Sequence, residues 1–192
     1  MELLRELERF SPWNAQEARD REALLCALRE GTASFTRENA RSHFTASAWV
    51  VSPDRAQVLM VHHNLYRSWS WIGGHADGET DLLAVAMREV REESGVTTVR
   101  AVSPDIYAVE VLAVAGHEKH GEFLSSHLHL NVTYLLEADP REAVRCKIDE
   151  NSRVGWFDPE EAVRMSVEPW FRERIYRKLI DKREAFESAR KK

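Results

Sequence analysis

The stretch WIGGHADGETDLLAVAMREVREESGV, Trp71 to Val96, decides how the chain is read. The pair Gly73-Gly74 reads as a turn, and a second turn follows at Gly78-Glu79. Asp81 is the expected N-cap of a helix that runs to about Ser94, with Gly95 just past its end. Each helical residue advances about 100°. Glu89, Glu92 and Glu93 stand at i, i+3 and i+4 and so project from one arc. Leu83, Ala86, Met87 and Val90 fall on a different arc that can face a core. Like charges at this spacing repel by a few tenths of a kcal/mol per pair. Acidic groups at a helix C-terminus also oppose its dipole. A hard divalent cation reverses the sign, because carboxylate oxygens are the ligands Mg²⁺ prefers, with waters and substrate phosphates completing its shell. A solvated acidic helix end is the plainer alternative for the three glutamates alone. The glycine turns at fixed distance before the helix, where backbone can approach phosphate closely, argue for the metal.

Gly73-Gly74, Gly78-Glu79, Arg88-Glu89-Val90, Glu92-Glu93 and Gly95-Val96 resemble the Nudix box of the Nudix hydrolases. The usual box is G, five residues, E, seven residues, R-E-apolar-x-E-E-x-G-apolar, and the overall spacing from Gly74 to Val96 matches. The first glutamate departs: Glu79 falls one place early and Thr80 occupies the usual position, which changes how Arg88 is held. Ile72 stands where many relatives have Pro, whereas Trp69 matches a tryptophan often seen before the glycines. The resemblance implies an α/β fold, a Nudix-like α/β/α sandwich with a mixed β-sheet. It implies that Glu92 and Glu93 bind Mg²⁺ or Mn²⁺, with Glu89 as a further ligand or as the base that activates water. The Gly73 carbonyl is a further candidate ligand, and Arg88 orients the glutamates. The implied reaction is hydrolysis of a diphosphate linkage in a nucleoside-diphosphate-type substrate.

The box covers about an eighth of the chain, and the strand pattern around it extends the likeness to roughly residues 45–165. Residues 1–30 read as helical, with Leu3, Leu4, Leu7 and Phe10 at helix spacing. Ser11 and Pro12 read as the cap and first turn of a second helix, carrying Ala18, Leu24, Leu25 and Leu28 and stopped by Gly31. Residues 32–43 read as a polar connecting loop. Residues 1–40 thus form an N-terminal helical extension packed on the core, and 41–192 form the Nudix domain. Thr45–Ser52 and Gln57–His63 read as a strand pair joined by a turn at Ser52-Pro53-Asp54-Arg55. β-type runs fill Val99 to Ala115, and 116–126 is loop-like. Leu128 to Glu137 is the best alternating strand: His127, His129, Asn131 and Thr133 share one face, and Leu128, Leu130, Val132 and Tyr134 the other. After a charged linker over 138–152 come a short strand at Val154–Phe157 and a helix capped by Asp158-Pro159. A longer helix from Glu168 carries Phe171, Ile175, Tyr176, Leu179 and Ile180. Residues 168–192 hold nine basic and five acidic side chains, read as a solvated helix face.

Several residues are candidates for the substrate pocket. His75 follows the glycines directly, as a phosphate contact or a packed turn residue. The face bearing His127 and His129 is either a cleft wall or a solvent-facing edge strand. A His-x-His pair also raises zinc, without a clear third ligand by spacing. Trp69 and Trp71 are stacking platforms for a nucleobase or core aromatics. His62 and His63 end a strand, and His117, Glu118, His120 and Glu122 lie in the loop; the resemblance implies Glu118 or Glu122 as a candidate last ligand or base, and surface-loop charge is the alternative.

The bulk numbers bound these readings. The chain has 192 residues, 43% hydrophobic and 31% charged, enough for one globular domain with a full core. Its net charge of −5 shows no electrostatic footprint for a nucleic-acid polymer. Cys26 and Cys146 are isolated and suit a reducing, cytoplasmic setting. No apolar run approaches a membrane span, and the charged N-terminus does not resemble a signal peptide. A small-molecule substrate and a monomer or homodimer are expected. Two alternatives compete. One is a non-catalytic Nudix-fold ligand-binding or regulatory module, which typically lacks box glutamates that are intact here. The other is an isoprenoid-diphosphate isomerase, which needs a pocket cysteine.

Overall fold

The computed structural model describes residues 2–119 and 121–190. His120 lies outside the described residues. The order of elements is α1 (Glu2–Arg9), α2 (Ala15–Arg29), β1 (Ser42–Val51), β2 (Val58–His63), β3 (Ser68–Ser70), β4 (Ile72–His75) and α3 (Leu82–Ser94). Then follow β5 (Arg100–Ala101), β6 (Ala108–Val114), β7 (His117–Lys119), β8 (Glu122–Leu124), β9 (His127–Glu137), β10 (Asn151–Phe157), α4 (Pro159–Met165) and α5 (Arg177–Arg190). A 3₁₀ turn at Thr32–Phe35 precedes β1, and a π-helical stretch at Phe171–Tyr176 leads into α5.

The chain is α/β with a mixed sheet and flanking helices. Hydrogen-bonded strands run in the order β10–β2–β1–β9–β5, with β3 on β2, β4 on β1 and β6 on β9. The pairs β1–β2, β2–β3, β2–β10, β5–β9 and β6–β9 are antiparallel. Leu128 N–H donates to the Arg41 carbonyl and Ala138 N–H to that of Val51. The residue offset is the same at both points, so β1 and β9 run parallel.

By contact, the residues group into two compact units. The first comprises 2–47, 73–86 and 103–134. Here the Asn14 side chain, rather than Ser11, caps α2 by accepting from Glu17 N–H at 2.9 Å. Ser11 is displaced because α1 ends at Arg9 and the chain stays non-helical until Ala15. Leu3, Leu7, Leu24, Leu25 and Leu28 are buried, and Gly31 past the helix has φ +119°. The α2 helix meets β6, where Val111 N–H donates to Asp20 Oδ2 at 3.1 Å. The N-terminal helices therefore share a compact unit with part of the sheet. Phe35 stacks on Phe44 with centroids 4.8 Å apart.

The second unit comprises 48–72, 87–102 and 135–190. Its core includes Trp49, Val58, Met60, Val61, Val90, Leu136, Ile175, Tyr176 and Leu179, all but sealed from solvent. Tyr176 stacks on Trp49 at 5.6 Å and meets the edge of Trp71 at 5.9 Å. Asp158 caps α4 by accepting from Glu160 and Glu161 N–H, as the Asp-Pro signal predicts. The buried Glu137 carboxylate is clamped between Arg55 and Arg100. Among the described residues no helix is long and apolar enough to cross a membrane.

Three sequence expectations are corrected here. Gly73-Gly74 lies in β4 rather than in a turn. The glycine is needed for a close approach: a Cβ on Gly73 would sit 2.5 Å from Ser47 Oγ and 2.7 Å from the Ala46 carbonyl. The strand expected from Thr45 begins at Ser42, so polar Ser42 and His43 join β1. Residues 116–126 contain the β7–β8 hairpin, paired through Glu118 and Phe123.

Candidate active site

Helix α3 forms as its caps predict. Asp81 Oδ1 accepts from Ala84 N–H at 3.0 Å. At the other end Gly95 has φ +74° and its N–H donates to the Arg91 carbonyl. The buried residues on α3 are Leu82, Val85, Ala86, Glu89, Val90, Glu93 and Ser94, whereas Leu83 and Met87 are only half-buried. The inward arc is thus rotated from the expected one, and it carries two glutamates.

Glu89 and Glu93 are only 8% and 3% exposed. A carboxylate oxygen of each, with one from Glu150, lies in a group whose members are all within 4.8 Å of one another. Burial raises the Glu89 carboxyl above the usual range, against the opposing pull of Arg88, whose Nη2 donates to Glu89 Oε1 at 3.0 Å. Glu92 sits on the outer side, 45% exposed. It lies 3.8 Å from Arg88 Nε and 3.3 Å from Lys147 Nζ. Lys147 also holds Glu150 at 3.0 Å. Burial pulls Lys147 down, but Glu150, then Glu92 and Glu89, outweigh it and hold the ammonium up at about 12. Asn151 Nδ2 donates to the Glu93 carbonyl at 3.0 Å and fixes β10 to the end of α3.

Glu150 is the member that sequence reasoning missed. It stands in the linker just before β10 and carries no local motif. Glu118 and Glu122, the loop candidates, are exposed on the β7–β8 hairpin of the first unit. Gly73 also belongs to the first unit, in β4. Glu79 Oε1 accepts from Thr80 and Asp81 N–H at 2.7 and 3.0 Å, so the early glutamate braces the entry to α3.

The histidines form a second cluster, within the first unit. Ring centroids of His43 lie 5.1 Å from His75, 4.9 Å from His127 and 5.0 Å from His129. His75 and His129 are 4.9 Å apart, edge to face. Burial, then the facing rings of His75, His43, His127 and His117, pushes His129 down to about 2. Burial likewise lowers His43. His43 falls in the polar run 32–43 that predicts a loop, and the structure places it in β1.

Below the histidines the polar face of β9 turns inward, so it is not a solvent-facing edge. Asn131 and Thr133 are buried, and β9 is flanked on both sides. Asn131 Oδ1 accepts from Thr45 and Ser47, and its Nδ2 donates to Glu110, which also accepts from Thr133.

Trp69 is buried in the second unit, edge-on to Phe157 at 4.7 Å, with the Arg153 guanidinium 5.4 Å from its ring centre. His62 contacts Ser152 Oγ, and His63 accepts from Leu65 N–H. Cys26 is exposed on α2 and Cys146 is half-buried in the linker; both are free thiols.

A family model described as the NUDIX domain matches residues 41–179. The chain belongs to the Nudix family. Among solved structures, a C. elegans Ap4A hydrolase in a binary complex is 18% identical, with a TM-score of 0.55 over 76% of this chain and 98% of that one. A Nudix hydrolase from M. smegmatis, RenU, is 15% identical, with a TM-score of 0.52 over 76% of this chain and 86% of that one. At these identities the likeness shows the Nudix fold. No curated protein matches. Membership of the family supports hydrolysis of an acid anhydride, the pyrophosphate bond.

Proposed function

We propose that this chain hydrolyses the diphosphate linkage of a nucleoside-diphosphate-type substrate with the help of Mg²⁺ or Mn²⁺. The observation that carries the reading is the convergence of Glu89 and Glu93, both buried, on Glu150. Burying anionic carboxylates together is costly unless a cation compensates them. The donor set is all oxygen, which fits a hard divalent ion rather than a softer one.

Glu93, Glu150 and, from the exposed side, Glu92 are the carboxylates that would hold the ion. When bound, it neutralises charge on the phosphate oxygens and lowers the pKa of the attacking water. Glu89 is suited to take that water's proton, since burial raises its carboxyl toward the working pH. Water oxygen then bonds to phosphorus as the bridging P–O bond breaks, and the leaving phosphate departs with the bond pair. Arg88 fixes Glu89 through Oε1 and reaches toward Glu92. The likeness to an Ap4A hydrolase is the reason to include dinucleoside polyphosphates among the substrates tested.

The test is a Mg²⁺-dependent screen of nucleoside diphosphate conjugates and dinucleoside polyphosphates, detecting released monophosphate or phosphate. Glu92→Gln and Glu93→Gln are expected to stay folded and lose turnover. Unchanged activity in both sinks the assignment. Tight ligand binding with no turnover across the panel would instead favour a binding module.

A further inference from the structure

We infer that His43, His75 and His129 form a second metal site, for a zinc-class transition-metal ion, separate from the carboxylate cluster. Each offers one ring nitrogen, and these nitrogens all lie within 4.8 Å of one another. Tetrahedral zinc with bonds of about 2.0–2.1 Å separates its ligands by about 3.3 Å. Side-chain rotations of about an ångström therefore close the group on an ion.

The decisive residue is His43. It is only 4% exposed. Its Nδ1 lies 3.1 Å from the Asn39 carbonyl, so Nδ1 carries the proton and donates it there. That fixes the tautomer and leaves Nε2 as a lone pair. Nε2 is buried and has no hydrogen-bond partner among the described residues. A buried acceptor left without a partner is costly. An imidazole whose distal N–H is anchored to a backbone carbonyl is how proteins orient a metal-binding histidine.

His127 fits the role of an outer partner. Its Nδ1 donates to the Ser125 carbonyl at 2.8 Å, which turns its Nε2 toward His129 Nε2 at 3.3 Å. His127 thereby orients His129 without joining the tight group of three. Below them, Asn131 is locked by Thr45, Ser47, Glu110 and Thr133, so the strands bearing His43 and His129 are held rigidly beside each other. Three imidazoles leave a fourth position for water or an anionic oxygen, the pattern of an open zinc site. Donor chemistry separates the two clusters: imidazole suits Zn, Cu, Fe and Ni, and carboxylate suits Mg and Mn.

The experiment uses untagged full-length protein stripped with chelator. Zn²⁺ alone is titrated by calorimetry and by competition with a chromogenic chelator, and Co²⁺ is read by its visible absorption. One tightly bound ion per chain is expected at the histidines, with a low-coordinate Co²⁺ spectrum. His43→Asn and His129→Asn should each weaken Zn²⁺ binding by more than about 100-fold. Glu93→Gln should leave it unchanged. His75→Asn serves where either of the other variants fails to fold. No stoichiometric binding by the parent protein, or unchanged binding in a folded histidine variant, overturns the proposal. So does loss of Zn²⁺ in Glu93→Gln with retention in the histidine variants. None of these readouts depends on turnover, so the site stands or falls separately from the proposed hydrolysis.

Discussion

The Asn131 amide donates to Glu110 Oε2 at 2.9 Å, and both side chains are buried at the β6–β9 pair. The two residues face each other in register across the ladder. Asn131 is saturated: its oxygen accepts from Thr45 and Ser47, and its nitrogen serves Glu110 and Thr133. The network explains how polar residues of β1, β6 and β9 share an interior: they satisfy one another.

Truncating Asn131 breaks this network from its centre. Asn131→Ala strands the Thr45 and Ser47 hydroxyls and removes a donor from Glu110. The expected cost is about 2–4 kcal/mol, because each buried polar group left unpaired loses its full compensation. Asn131→Asp should be worse, since it sets a second carboxylate against Glu110. Urea unfolding measures both, and a loss below about 0.5 kcal/mol for Asn131→Ala would refute the network's role.

Gly73 is fixed by space rather than by φ. In Gly73→Ala the new methyl meets Ser47 Oγ and the Ala46 carbonyl at less than contact distance. Overpacking of this kind costs about 1–3 kcal/mol, roughly 2–12 °C in melting temperature for a chain of this size. Pairing it with Ser47→Gly should not restore the loss, because the Ala46 carbonyl is backbone and stays and the Ser47 hydroxyl's bond to Asn131 is lost as well. Full recovery in the double variant would show that the hydroxyl alone set the limit.

What the sequence revealed was what local rules govern. The caps of α3, its Glu89–Glu93 spacing and the Asp158-Pro159 start depend on residues a few positions apart, and they appear as read. The missed features depend on distant partners. Glu150 reaches α3 through Lys147 and Asn151, which look like ordinary linker residues until the chain folds. His43 sits in a polar run that reads as loop, and pairing with neighbouring strands draws it into β1. The Gly73-Gly74 pair has turn chemistry, but pairing with β1 overrides it. The inward arc of α3 differs from the one apolar periodicity predicts, because that periodicity gives no weight to buried glutamates.

The histidine cluster predicts a pH dependence in metal-free protein. The folded value of His129 is about 2, against about 6.5 in the unfolded chain. A depressed histidine leaves the unfolded chain binding more protons, so stability is present above about 6.5 and is lost as pH falls toward the folded value. The slope has a ceiling of about 1.4 kcal/mol per pH unit for one proton. Raised Glu89 acts in the opposite sense, losing stability as pH rises through its folded value. Comparing parent protein with His129→Asn isolates the histidine. With chelator present, the variant should show a flatter fall in melting temperature between about pH 7 and about pH 5, the range in which a histidine titrates. Parallel curves would refute the assignment of that slope to His129.

Lys147 competes with a cation for the same oxygens. Its ammonium touches Glu150 at 3.0 Å and Glu92 at 3.3 Å. An incoming metal must displace that contact, so the ion pair lowers apparent affinity by mass action. Lys147→Met keeps the length of the stem and removes the charge. It should tighten Mn²⁺ binding several-fold, read by the free-ion electron paramagnetic resonance signal. In chelator the same variant should melt lower, by about 1 kcal/mol or less, because Glu92 and Glu150 lose a partly exposed counter-charge. Adding Mn²⁺ should recover that loss. Weaker Mn²⁺ binding in Lys147→Met would reverse the interpretation: the lysine would then act by positioning Glu150 for the metal, and Glu150→Gln should mimic it.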